Sequence, residues 1–513
     1  MREKVHSTIY LIGLLTMAFF MPLSIFVTNA AMLMIATNWI VECNFAEKWK
    51  RTKENIGILI FCTLYIVHLI WLANTSDFTY AMNDLRIKLP LLALPVIFGT
   101  SKPLSTKKLH IVLLTFVAGV FVASLMGIVA KIFAESNEFR SLSLFISNIR
   151  MSLMLCMSFF IIAYFIVKKI FFTGFTKWIA VLVAIWMLAF MSIIQSITGF
   201  ACFFIGLTTI LVVIAVKTNN KLHRIFCIAF AVLIPTVITS YIAYSVHKFY
   251  TPTCENIQLE TTAAGNPYDI VVSDGTIENG NLIWLNISKT ELTQAWAQRS
   301  KIHIDSLDNK GQFIYPTLVR YLTSLGLTKD AEGVSKLSDN DVKNIENGET
   351  NYMFANRSGL ACRIYVILWE LDVYRKTGDC NGHSAVQRIE FLKYGGKLAS
   401  RNLLTGTGTG DVNEEFQKLY EEENSSLRPE YRHRAHNQFL TFMISFGIFG
   451  FIICLIAWFV PAFYKWDTNK FLFGIFFLIA TISMFSDDTL ETTTGTVFVA
   501  FFFSLLKWTT DRK

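Results

Sequence analysis

The chain has 513 residues, 53% of them hydrophobic and only 16% charged, with a mean hydropathy of +0.45 and a formal net charge of +8. This excludes an ordinary soluble domain, in which about 25% of residues are charged. The excess positive charge lies between apolar runs, so it reports membrane topology and argues against a nucleic-acid partner.

In chain order, Met1-Arg2-Glu3-Lys4 resembles the basic start of a secretory leader. No small-x-small cleavage site follows, and a second apolar run begins almost at once, so a retained first helix is expected. Apolar runs of membrane-crossing length, about 17–25 residues, recur at both ends of the chain. They predict spans near 8–23, 25–41, 55–73, 87–100, 108–132, 150–167, 176–195, 198–216, 224–246, 437–464, 470–485 and 493–508. The expected fold class is an all-α polytopic membrane protein of about twelve transmembrane helices with a large, mainly helical outer loop domain. The expected division is 1–246, 247–436 and 437–513.

Charge placement gives the orientation. With the N-terminus inside, the inner connections carry Lys48, Lys50, Arg51 and Lys53, then Lys102, Lys107 and Lys108, then Lys168, Lys169 and Lys177. Lys217, Lys221 and Arg224 follow, then Lys465 and Lys470, then Lys507, Arg512 and Lys513. The short outer connections hold only Arg86, Lys88, Lys131, Arg140 and Arg150. This is the positive-inside pattern, and it puts both termini inside and 247–436 outside.

Within the outer segment, Tyr268-Asp269-Ile270-Val271-Val272 is the clearest strand-like run. Leu360, Ile364, Ile367, Leu371 and Tyr374 repeat at helical spacing. Ser384-Ala385-Val386-Gln387 and Asp411-Val412-Asn413-Glu414 have the capping-box pattern, and the first opens a helix bearing Arg388. Cys254, Cys362 and Cys380 allow one disulfide with one thiol left over. No CxxC or zinc-like spacing occurs, so no metal site is expected.

Several residues can carry chemistry. Arg150 opens an apolar run at its outer end, either as a snorkelling interfacial arginine or as a cation on a substrate path. Arg388 is either a surface partner of Glu390 or Glu370 or a site cation. The turn Gly406-Thr407-Gly408-Thr409-Gly410 permits positive φ, so it is either a plain turn or an anion-binding nest built around Gly408 and Gly410. His436 sits where Arg432-His433-Arg434-Ala435 re-enters an apolar run. It is either a helix-start residue or a base, and the neighbouring Arg432 and Arg434 would favour its neutral form. Asp487, Asp488 and Glu491, in the last outer connection, can orient the histidine, bind an acceptor or simply be solvated.

Together, Arg434-Ala435-His436-Asn437-Gln438-Phe439-Leu440, the glycine turn before it, the helix 384–393 and Asp488-Thr489-Leu490-Glu491 resemble the O-antigen ligase family of bacterial envelope glycosyltransferases. The resemblance covers the whole layout, with a large outer loop before the last three spans. It implies a C-type glycosyltransferase-like fold in the bacterial inner membrane with the loop periplasmic. It also implies metal-independent, inverting transfer of a glycan from undecaprenyl diphosphate to a sugar hydroxyl of the lipid A core, without a separate cofactor. His436 matches the family's proposed base, Arg150 and Arg388 its two diphosphate-binding arginines, and Asp488 or Glu491 its acidic residue. The stretch 250–350 has no counterpart, and Gln195-Ser196-Ile197-Thr198-Gly199 replaces a Ser-Arg pair of many members. Protein O-glycosylation or repeat-unit polymerisation would use the same donor. A saccharide transporter is disfavoured because few charges lie inside the spans.

Overall fold

The computed structural model describes residues 2–133, 142–251, 258–269, 276–355, 360–464 and 470–509. The protein is an all-α polytopic membrane protein. Its apolar runs form helices whose limits follow the hydropathy closely, among them Ile25–Val41, Thr106–Phe133, Asn148–Val167, Ile197–Lys217 and Gln438–Phe463. Among the described residues, seven helices are long and apolar enough to cross a membrane, or eight if the bent pair Ile25–Val41 and Phe45–Glu54 is one span.

Two of the other expected spans fall short for physical reasons. The expected 87–100 segment takes in only the end of the helix Phe78–Lys88 and then Pro90–Thr100, each of 11 residues, the second with proline in its first turn. Eleven residues rise only about 16 Å, roughly half a hydrocarbon core. Thr493–Trp508 has 16 residues, yet Phe501, Phe502 and Phe503 are wholly buried, so protein and not lipid surrounds it. In Lys221–Tyr250 the opposite holds, and only Ala231 is buried.

Two compact units emerge, residues 1–231 with 373–513, and residues 232–372. The second has a core of its own, including Ile287, Leu292, Trp296, Leu318, Leu322 and Ile345. A short hairpin, Ile277–Glu278 with Asn281–Leu282, is its one described sheet. Arg320 pairs there with the buried Glu278 at 2.8 Å. Of the strand-like run, Ile270–Val272 lie outside the described residues, and Tyr268 and Asp269 are not in a strand. The sequence division at 247 and 436 thus differs from the compact units, because residues 373–436 fold with the membrane helices.

The glycine turn shows why. Gln438–Phe463 breaks at Gly447, whose φ is 61° and ψ −168°. A break in an apolar helix frees carbonyls that must find partners within the protein. The amides of Thr407 and Gly408 donate to Ile444 O at 2.8 Å and Ser445 O at 2.9 Å, and Ile448 N donates to Leu403 O at 2.7 Å. On its other side the turn meets residues 68–77: Trp71 Nε1 donates to Thr405 O at 2.6 Å, and Thr409 Oγ1 to His68 O at 2.7 Å. Gly410 N donates to Thr75 Oγ1 at 3.3 Å. The nest expected around Gly408 and Gly410 is therefore not available, since those N–H groups already serve protein acceptors.

Gly408 has φ 98°, and a Cβ there would lie 2.0 Å from Asn74 O. Gly408→Ala is expected to cost at least ~1–3 kcal/mol from backbone strain, with the clash added. Thermal unfolding in detergent should show a lower Tm. Gly396→Ala is the control, because Gly396 has open space around its Cβ position and should leave Tm unchanged or raised.

Candidate active site

The helix Gln438–Phe463 begins with Asn437 as its cap, the Asn437 side chain accepting from Leu440 N at 3.0 Å. Its side-chain amide donates to Phe485 O at 2.9 Å, fixing the helix start to the end of the helix Lys470–Ser486, just before the last connection, 486–492. His436, just before the cap, has φ 49°, a left-handed conformation uncommon outside glycine. The turn aims the ring at that connection. His436 Nδ1 lies 3.2 Å from Asp487 Oδ1, and Nε2 has no protein partner among the described residues. Phe391 packs against the ring, with centroids 5.4 Å apart.

The other Asp487 oxygen accepts from Arg150 Nη1 at 2.5 Å. Arg150 is only 4% exposed. It is no snorkelling arginine, for Nη2 donates to Asp488 O at 2.9 Å and Nε to Thr492 Oγ1 at 3.1 Å. Burial alone would raise the Asp487 carboxyl, but the His436 hydrogen bond and the Arg150 charge outweigh it and hold Asp487 well below the usual carboxylate range. Local sequence does not distinguish Asp487 among three carboxylates; it is the one that touches the histidine.

Asp488 and Glu491 face elsewhere. Asp488 accepts from Thr441 Oγ1 at 2.7 Å, and burial raises its pKa. Glu491 accepts from Lys88 at 2.8 Å, Arg434 at 3.0 Å and Gln438 at 3.0 Å. Burial opposes its charge, yet Lys88 and Arg434 prevail and hold it well below its ordinary value. Lys88 also pairs with Asp84, and Arg434 donates to Tyr80 OH at 3.2 Å. Arg434 and Arg432 therefore do not turn to His436: the first serves Glu491, and the second donates to Leu427 O at 3.0 Å. Lys88 was legible as one of few cations in the outer connections, like Arg150, and both prove to be buried ion-pair centres.

Arg388 lies on the helix Ser384–Arg401, half-buried, with no hydrogen bond or ion pair among the described residues. Glu390 is not its partner, because it accepts from Tyr374 OH at 2.5 Å and pairs with Lys393. Neither expected capping box forms. His383, not Ser384, occupies the cap position, and the Asp411 carboxylate instead accepts from Ser76 N at 2.8 Å and Asp77 N at 2.7 Å. Cys362 and Cys380 are buried, with Cys362 Sγ donating to Met353 O at 3.1 Å, and Cys254 lies outside the described residues.

Arg150, Arg388, Arg434, His436 and Asp487 line one cavity of about 680 Å³, with Asp488 and Glu491 also in its wall; Gly408 and Gly410 do not reach it. The volume suits a small ligand or the head of a larger one. An imidazole held through Nδ1 by an ionised carboxylate presents Nε2 as a proton acceptor. The Arg388 guanidinium, without an anion of its own among the described residues, faces the same space.

No curated protein matches the chain. Residues 343–455 match the model of the family described as O-Antigen ligase. The match contains Arg388, Arg434 and His436, and Arg150 and Asp487 join it only through the contacts above. Over this segment, which supplies the histidine of the cavity, the chain is similar to the O-antigen ligase family.

Proposed function

We propose that this protein moves a glycan from undecaprenyl diphosphate onto a sugar hydroxyl of the lipid A core. The observation that carries this reading is His436 with Nδ1 held by Asp487 and Nε2 free toward a cavity that an unpaired arginine also faces. The acceptor oxygen attacks the anomeric carbon while its proton passes to His436 Nε2. The bond from that carbon to the phosphate oxygen breaks, and undecaprenyl diphosphate leaves with the electron pair. One displacement from the opposite face inverts the anomeric centre. Arg388 stabilises the charge growing on the diphosphate, which needs no metal where fixed guanidiniums supply the field. Arg150, matched by resemblance to the second diphosphate arginine, adds its charge at the cavity wall while holding Asp487. Asp488 and Glu491 set the wall behind them.

The positive-inside pattern supports a bacterial inner-membrane location with both termini cytoplasmic and this cavity at the periplasmic face. A strain lacking the protein tests the acceptor. A lost lipopolysaccharide ladder with accumulated lipid-linked polymer is expected. Single-repeat caps would instead indicate polymerisation, and an intact ladder with unmodified glycoproteins would indicate protein glycosylation. Arg388→Ala should lower transfer by ~10²-fold or more, while Arg388→Lys retains part of it because charge survives without the planar fork. Full activity of the alanine variant in a transfer assay would remove Arg388 from the site.

A further inference from the structure

The charges around the cavity set its arginines apart. Four of them and three carboxylates line it. Arg150 is matched by Asp487, and Arg434 by Glu491, which Lys88 also neutralises. Arg388 has no anion among the described residues. Arg432 has only Glu421, 3.8 Å away and itself 72% exposed.

Arg432 is nonetheless well held. It follows a short 3-10 turn, Pro429–Tyr431, and its amide donates back to Pro429 O. Gln417 Nε2 donates to its carbonyl at 3.3 Å, and its own Nε to Leu427 O at 3.0 Å. The stem is thus fixed, while Nη2 has no partner among the described residues. A desolvated guanidinium with open donors is a ready binder of phosphate oxygens. Arg150, by contrast, has a donor of each of its three nitrogens committed inside the protein.

We propose that Arg432 is a further binding residue for the donor, forming with Arg388 the cation pair that holds the diphosphate, while Arg150 is a positioning residue acting through Asp487. This rests on the donor assigned above. A diphosphate presents two charged groups and can engage both guanidiniums; a monophosphate can engage only one well.

The test is binding by the purified full-length protein in nanodiscs, with geranylgeranyl diphosphate and geranylgeranyl monophosphate as probes. Arg432→Gln should raise the Kd for the diphosphate by about 10-fold or more and that for the monophosphate by less than about 3-fold. Arg388→Gln should behave alike, and Arg432→Lys should fall between. Diphosphate binding unchanged in Arg432→Gln but weakened in Arg388→Gln would overturn the role of Arg432 alone. Equal loss of both probes in Arg432→Gln and Arg432→Lys would make Arg432 structural and overturn it too. A wild-type protein that does not prefer the diphosphate would overturn the assigned donor and this pair with it.

Discussion

His436→Ala is expected to abolish glycan transfer while leaving the protein at its normal level in the membrane. Loss of a positioned general base typically lowers a rate by ~10²–10⁴-fold, enough to erase a lipopolysaccharide ladder. The fold should survive, for three reasons. The imidazole is 35% exposed, so little buried surface is lost. Asp487 keeps its bond from Arg150, so no carboxylate is left unpaired. The helix start is capped by Asn437, not by the histidine. Asp487→Asn should keep donor binding and lower the rate, because an amide can present its NH₂ to Nδ1 and reverse the tautomer. In vitro transfer and ladders from cells carrying only the variant measure both. A normal ladder with His436→Ala would end the case for it as the base.

The helices of this site were legible in the sequence, and the contacts between them were not. Apolar length fixes where a helix lies, so Asn148–Val167 and Gln438–Phe463 appear within two residues of their hydropathy limits. Asp487, Asp488 and Glu491 share one connection and one chemistry, so local sequence cannot rank them. Partners hundreds of residues away do that: Arg150 for Asp487, and Lys88, at the end of the short helix Phe78–Lys88, for Glu491. The glycine turn failed as a nest for a related reason. Positive φ suits an anion nest and a close backbone crossing equally, and only the kink at Gly447 shows which is present. The second capping pattern misled because Asp411 found two amides outside its own helix.

Arg150→Ala should be the most damaging single substitution at the site, and damaging in a different way from Arg388→Ala. Removing one partner of a buried ion pair typically costs about 3–5 kcal/mol, because the remaining charge stays desolvated. Asp487 is that charge, with a side chain only 10% exposed. The variant should therefore lose both activity and thermal stability, and Arg150→Lys should rescue little, since one ammonium cannot point at Asp487, Asp488 O and Thr492 together. Adding Asp487→Asn to Arg150→Ala removes the stranded charge, so Tm should partly recover while transfer does not. That split identifies a strut that orients the histidine's carboxylate. If Arg150→Ala left Tm unchanged and raised only the KM for the lipid-linked donor, Arg150 would instead be a ligand of the diphosphate, and the division of labour between it and Arg432 would fail.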